Sequence, residues 1–429
     1  MTLIGNIRVK LSDLIFSFSR ALDFVNPAMT NHHMRVAIIA SEIAKEFGVS
    51  RQEIVDIFLA STLHDIGAFS LKDRLTTLEF EVKNPQLHAE RGYVLLKDKG
   101  LNIFSDIARI IRYHHTPWEG GRGSYFLSNA GDEKIPAGSH IIHLADRIEV
   151  LIDKQRDALS QSKRIVEVIK ARSNKAFMPE LVSAFESLSA KEYFWFDAAS
   201  PEIDQIVSDR SLLPEVDLDI DSLLKISGLF SHIIDYRSPF TAVHSAGVSA
   251  VATLLAQMIG FSDIECKLMS VAGYLHDIGK LAVPAEILEK PAKLSVEEFN
   301  VMKSHVYHSY RILKTVAGFD IINLWASFHH ERIDGNGYPF HLSGGELSIG
   351  SRVMAVADVL TALTEDRPYR KGISGEDALK IIEDMAKNNN LDQSIVGIAG
   401  IYFRHLNDIR INAQSKAAAE YMAVKQFMG

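Results

Sequence analysis

A single cysteine, Cys266, stands in the 429 residues, so no disulfide can form within the chain and a reducing compartment suits it. No apolar run approaches the roughly 18 residues of a membrane span. The first twenty residues carry Lys10, Asp13 and Arg20 around a short Leu14-Ile15-Phe16 cluster, unlike a signal peptide. A cytoplasmic location is therefore expected. Basic residues are outnumbered, 46 Lys and Arg against 54 Asp and Glu, and the net charge of −8 argues against wrapping long nucleic acid. With 26 Gly and 12 Pro the chain is not of low complexity.

What remains is a globular composition, 47% hydrophobic and 23% charged, over a length that one ordinary core does not fill. Two domains of roughly 150 to 200 residues are expected. The apolar residues recur with the period of a helix. Val36, Ile39, Ala40, Ile43, Ala44 and Phe47 form one stripe ending at Gly48, and Val248, Val251, Leu254, Leu255 and Met258 form another ending at Gly260. After each glycine comes a capping-box pattern, Ser50 with Glu53 and Ser262 with Glu265. Sustained period-two alternation is lacking, so the fold class is all-α, with any site gathered from several helices.

The chain also repeats itself. The second half runs Thr241-x-x-His244, His276-Asp277-Ile278-Gly279, His305, His329-His330, Asp358. The first half runs Thr30-x-x-His33, His64-Asp65-Ile66-Gly67, His88, His114-His115, Asp146. Successive intervals are 31 and 32, 24 and 29, 26 and 24, then 31 and 28 residues. Such agreement in order and spacing implies a duplication. The expected domains are 1–195 and 219–429, joined by an acidic, solvated linker, 196–218, with short helical pieces.

Imidazoles with carboxylates at these positions suit a dinuclear metal site for phosphoester hydrolysis. Imidazole accepts Fe, Mn, Ni, Co or Zn, while a carboxylate can bridge two cations, so the metal identity stays open. Asp277 is the natural bridge, and Lys280, about one helical turn beyond His276, is placed to stabilise charge on a phosphate. The run Asp334-Gly335-Asn336-Gly337-Tyr338-Pro339 reads as a turn whose backbone, through Gly337 and Tyr338, comes close to the site.

These residues resemble the HD superfamily of metal-dependent phosphohydrolases. Residues 219 to about 400 look like its HD-GYP branch, whose members hydrolyse cyclic dinucleotides. The resemblance rests on His276-Asp277-Ile278-Gly279-Lys280, on His329 through Pro339, and on Asp366-Arg367-Pro368-Tyr369-Arg370. It implies one metal on His244, His276, Asp277 and Asp358, and a second on Asp277, His305, His329 and His330. Lys280 would contact the scissile phosphate, with Arg367, Arg370 and Lys371 on the ligand's phosphates or bases. A third metal in some members uses a Glu four residues before the first His; Phe240 stands there, so two are expected.

The resemblance further implies attack by a metal-bridging hydroxide, opening cyclic di-GMP or 3′,3′-cyclic GMP-AMP to a linear 5′-phosphorylated dinucleotide. The first half keeps the matching ligands His33, His64, Asp65, His88, His114, His115 and Asp146. It has Ala68 in place of the lysine and Thr116 through Gly121 in place of the Tyr-Pro motif. It is read as a degenerate domain that binds metal but is catalytically weak, acting in regulation, dimerisation or ligand sensing. The expected partner is a cyclic dinucleotide, with neither long nucleic acid nor membrane, and a homodimer is left open. Two rival readings are a non-catalytic cyclic-dinucleotide receptor, disfavoured by the intact Lys280, and an HD phosphohydrolase acting on another nucleotide.

Overall fold

The structure is a computed structural model that describes residues 8–23, 29–69, 71–81, 86–97, 102–128, 131–209, 216–236, 243–366 and 371–426. Among these the fold is helical, with two small two-stranded antiparallel pairings, Val9–Lys10 with Asp217–Leu218 and Tyr125–Ser128 with Gly131–Lys134. No helix among them is long and apolar enough to cross a membrane. The chain forms two compact units. The second-half unit comprises residues up to Ala21 together with Val216–Lys425, and the first-half unit is built on Leu22–Glu215.

This division differs from the expected one at both ends of the first half. The helix Leu11–Asp23 buries Leu11, Leu14, Ile15 and Phe18. Phe18 stacks on Phe230 with ring centroids 3.7 Å apart, and the Ser17 hydroxyl donates to the Ile312 carbonyl at 2.8 Å. The apolar stripe thus completes the core of the second-half unit. In the expected linker, the helix Ile203–Asp209 buries Ile203 and Val207, so an acidic composition conceals two core residues.

Within each unit the motif residues, apart from the first histidine, occupy the same places on a run of helices. In the second-half unit His244 opens the helix His244–Met258, and His276-Asp277 follows the helix Asp263–Leu275. His305 lies within Val296–Leu313, His329-His330 follow Asp320–Ser327, and Asp358 lies within Ile349–Thr364. The first-half unit runs in parallel through His32–Phe47, Arg51–Thr62, Gln86–Leu96, Asn102–Arg112 and Ala137–Leu151.

The local signals behave as the sequence suggests. Gly48 adopts φ 89° and closes its helix, Gly260 adopts φ 93°, and both capping boxes form. The glycine after each His-Asp-Ile is required by a close approach. A Cβ on Gly279 would lie 1.9 Å from the His305 carbonyl oxygen, and one on Gly67 would lie 2.1 Å from that of His88. This contact brings the His-Asp turn against the helix carrying the next histidine.

Candidate metal centres

In the second-half unit the predicted ligands converge on Asp277. One of its oxygens lies 3.2 Å from His276 Nε2 and 3.9 Å from His244 Nε2; the other lies 3.4 Å from His305 Nε2. His244 Nε2 is 3.2 Å from Asp358, and His330 Nδ1 is 4.0 Å from the other Asp358 oxygen. Two donor trios result, His244-His276-Asp358 and His305-His329-His330, with Asp277 between them.

Backbone carbonyls aim the rings. His276, His305 and His329 hold Nδ1 at 2.8, 2.6 and 2.7 Å from the carbonyls of Gly273, Met302 and Ala326. Each carbonyl is three residues earlier, so Nε2 is the nitrogen turned inward. Nε2 of all three, and one Asp277 oxygen, are buried without a hydrogen-bond partner. A buried unsatisfied group costs about 1 to 3 kcal/mol, so four together are the signature of ligands that expect a cation. The residues therefore fit the metals the motif implies.

The electrostatics agree. Burial opposes the charge on Asp277, but His276, Lys280 and His305 hold its carboxyl well below the usual range. Burial pushes His305 down to about 3 and lowers His329 and His330, which favours neutral, ligating imidazoles. His244 goes the other way: burial lowers it, yet Glu365 and Asp358 carry it up to about 10. The Lys280 ammonium pairs with Asp277.

A cavity of about 400 Å³ opens on this centre, walled by His244, Asp277, His305, His330, Asp358 and Lys280 and by Ile287, Leu288, Leu294, Met302 and Tyr338. The loop after His330 forms part of the wall. Gly337 packs where a Cβ would meet Glu331 Cα at 2.4 Å, and the Glu331 carboxylate accepts from the Phe340 and Leu342 amides at 2.7 and 3.0 Å. Tyr338 thereby stands 4.9 Å, ring to ring, from His330. Lys371 is described but does not line this cavity, whereas Phe240, Arg367 and Arg370 lie outside the described residues.

The first-half unit repeats the arrangement. One Asp65 oxygen is 3.2 Å from His88 Nε2 and 3.8 Å from His114 Nε2; the other is 3.3 Å from His64 and 4.0 Å from His32. His115 joins Asp65, His88 and His114 in one donor group, while Asp146 joins His32 and His64 in another. The register of the first histidine differs from the sequence reading. His32, which opens its helix as His244 does, lies 3.6 Å from Asp146, the place assigned to His33. His33 takes the place of Ser245: it binds Asp23 through Nδ1 at 2.5 Å, as Ser245 binds Asp235. It still lies within ligand distance of His64 and Asp65. Two adjacent histidines at a helix start left this register ambiguous by one residue.

The two centres differ in access. The side chains of His330 and Asp358 are 30% and 11% exposed, whereas that of Asp146 is 1% exposed. Arg147, next to Asp146, caps it with a guanidinium anchored on the carbonyls of Thr77, Glu79 and Phe80. The residue next to Asp358 is Val359, which lines the open cavity. A separate cavity of about 550 Å³ beside Trp118 and His140 touches none of the first-half donor groups. Arg147, Glu149 and Glu365 carry no motif, and sequence spacing gave no signal for them.

Comparison with known proteins bears on both units. Family models described as HD domain match residues 29–151 and 228–395. A 3′3′-cGAMP-specific phosphodiesterase of Vibrio cholerae is 32% identical over 401 residues, covering 91% of each chain. A cyclic di-GMP phosphodiesterase of Pseudomonas aeruginosa is 38% identical over 168 residues, 38% of this chain and 40% of that one. The crystal structure of a cyclic GMP-AMP-specific phosphodiesterase of V. cholerae superposes with a TM-score of 0.63 at 25% identity, covering 96% of this chain and 98% of that one.

Proposed function

The chain belongs to the HD-domain family of metal-dependent phosphodiesterases, and we propose that it is a cyclic-dinucleotide phosphodiesterase whose second-half unit carries the chemistry. The observation that carries this reading is Asp277, set between two trios of metal donors at the floor of an open cavity with Lys280 beside it. The relatives that match along nine-tenths of their length are named as specific for 3′3′-cGAMP; the enzymes named for cyclic di-GMP match in one portion only, as does one further 3′3′-cGAMP-specific relative. That pattern favours 3′3′-cyclic GMP-AMP as the preferred substrate.

His244, His276, Asp277 and Asp358 would hold one cation, and Asp277, His305, His329 and His330 the other. Two divalent ions supply Lewis acidity and make water acidic enough to attack phosphorus near neutral pH. The chain's own residues do the rest. Asp277 offers one oxygen to each subsite, and Lys280 places a positive charge where the phosphate gains negative charge in the transition state. Tyr338 offers a ring face beside His330, and Ile287, Leu288, Leu294 and Met302 give an apolar wall for a base. Cleavage of one P–O3′ bond by addition of water yields a linear dinucleotide with a 5′-phosphate.

In the first-half unit, the donor set fits a cation, with His32 beside His33, His64, Asp65, His88, His114, His115 and Asp146 as the candidate ligands. Ala68 replaces the lysine and Arg147 covers Asp146, so this unit would hold metal without turnover. The test is metal content and product formation in three full-length proteins: wild type, Asp277→Ala, and Asp277→Ala with Asp65→Ala. Loss of activity with residual metal in the single variant, and loss of that metal in the double, is expected. Turnover surviving in Asp277→Ala would move the chemistry to the first-half unit.

A further inference from the structure

Among the predicted ligands of the open centre, His244 is oriented differently from its neighbours. Its Nδ1 does not meet a backbone carbonyl; it lies 3.0 Å from each oxygen of the Glu365 carboxylate. Glu365 is the C-cap of the helix Ile349–Thr364, seven residues beyond Asp358, and its carboxylate reaches His244 from there. Glu365 is itself held: Gln414 Nε2 donates to it at 3.1 Å, and Arg410 donates to the Gln414 oxygen at 2.5 Å. Arg410 is in turn steadied by Asn407 on the same C-terminal helix, Phe403–Lys425.

Room for this chain is built in. Gly247, one turn beyond His244, packs where a Cβ would come within 2.7 Å of Gln414 Nε2. Glu365, Arg410 and Gln414 are all buried. The first-half unit reaches the same contact by another route. His32 Nδ1 meets the Glu149 carboxylate at 2.7 Å, and Glu149 stands three residues after Asp146 rather than seven. Lys154 then holds Glu149 at 2.8 Å. Two carboxylates from unlike positions thus converge on the same nitrogen of the histidine that opens the helix, and the contact is built in both units.

We propose that Glu365, braced by Gln414 and Arg410, is a positioning residue that fixes His244 with its proton on Nδ1 and thereby sets the affinity of the His244-His276-Asp358 subsite for its cation. A carboxylate on the outer nitrogen keeps the inner nitrogen free to ligate, raises its basicity, and removes a ring rotation that binding would otherwise have to freeze. The C-terminal helix thus belongs to the metal centre although it supplies no ligand. This inference rests on the dinuclear reading of the second-half unit.

The experiment is titration of the metal-free full-length chain with Mn²⁺, followed by free-ion spin resonance, for wild type, Glu365→Gln, Gln414→Leu and Asp277→Ala, with melting temperature read alongside. Wild type should exceed Asp277→Ala by two cations. Glu365→Gln should keep one of these two at wild-type affinity and bind the other 10- to 100-fold more weakly. Its activity should return when Mn²⁺ is raised by the same factor, and Gln414→Leu should fall between it and wild type. Unchanged affinities in Glu365→Gln overturn the proposal, and so does equal weakening of both cations with a lower melting temperature, which marks a purely structural role. Equal metal in wild type and Asp277→Ala would instead defeat the dinuclear reading, and the proposal with it.

Discussion

Single residues carry most of the chemistry, and their roles separate by what they touch. Lys280 contacts Asp277 but belongs to neither donor trio. Lys280→Ala should therefore keep its metal and lose about 10² to 10³ in kcat, about 3 kcal/mol of transition-state stabilisation, which metal analysis and rate measurement on one sample will check. His244 adds a pH dependence. Its pKa is carried up to about 10 by Glu365 and Asp358 despite burial, so the metal-free ring is protonated at neutral pH. A cation must displace that proton, and His276 beside it is also raised, against burial, by Asp277 and Asp358, so metal binding should tighten as pH rises toward about 10, with protons released. Calorimetry in buffers of different ionisation heat reads the release directly, and an uptake independent of pH would contradict the assignment. The motif histidines and Asp277 were legible in the sequence because their spacing repeats. Glu365, Glu149 and Arg147 were not, because a residue that acts through a neighbour needs only to reach it, and a position within a helix, as for Glu149, or at its C-cap, as for Glu365, serves equally well.

At the scale of elements, the site depends on how closely the turns approach the helices. Gly279 lets the His-Asp turn lie on the helix Val296–Leu313, with its amide donating to the Ser309 hydroxyl at 2.9 Å and that hydroxyl donating to the His276 carbonyl at 2.8 Å. A methyl group there overlaps backbone rather than a flexible side chain. Gly279→Ala should cost at least about 1 to 3 kcal/mol, seen as a lower melting temperature, and should weaken metal binding because His276 and His305 are pushed apart. A variant with wild-type stability and metal content would show that the turn can shift freely. Helix existence, the Gly48 and Gly260 endings and both capping boxes could be read from sequence, since each is decided within a few residues. The start of the helix at His32 could not: His32 and His33 both fit the local pattern, and only the pairing with Asp146 and Glu149 decides between them.

For the whole molecule, the repeat showed two domains but misled about where the first eleven residues of the helix Leu11–Asp23 belong. Its amphipathic stripe announces a buried face without naming the core it enters. In the structure that core is the one around Phe230 and Ile312. A fragment spanning 219–429 should accordingly melt below the same unit in the full chain, because Phe230 loses the Phe18 ring; equal melting of both would place the helix outside the unit's stability. On the proposed reading the duplication divides the work: turnover belongs to the open centre beside Lys280, and metal without turnover to the Arg147-capped centre. The most direct measurement is chromatographic product analysis of the full-length chain, loaded with Mn²⁺ or Fe²⁺, incubated with 3′,3′-cyclic GMP-AMP and with cyclic di-GMP, beside Asp277→Ala. Linear 5′-phosphorylated dinucleotide from wild type, fastest from 3′,3′-cyclic GMP-AMP and absent from Asp277→Ala, is the predicted result; intact substrate from a wild-type chain of confirmed metal content would contradict the account.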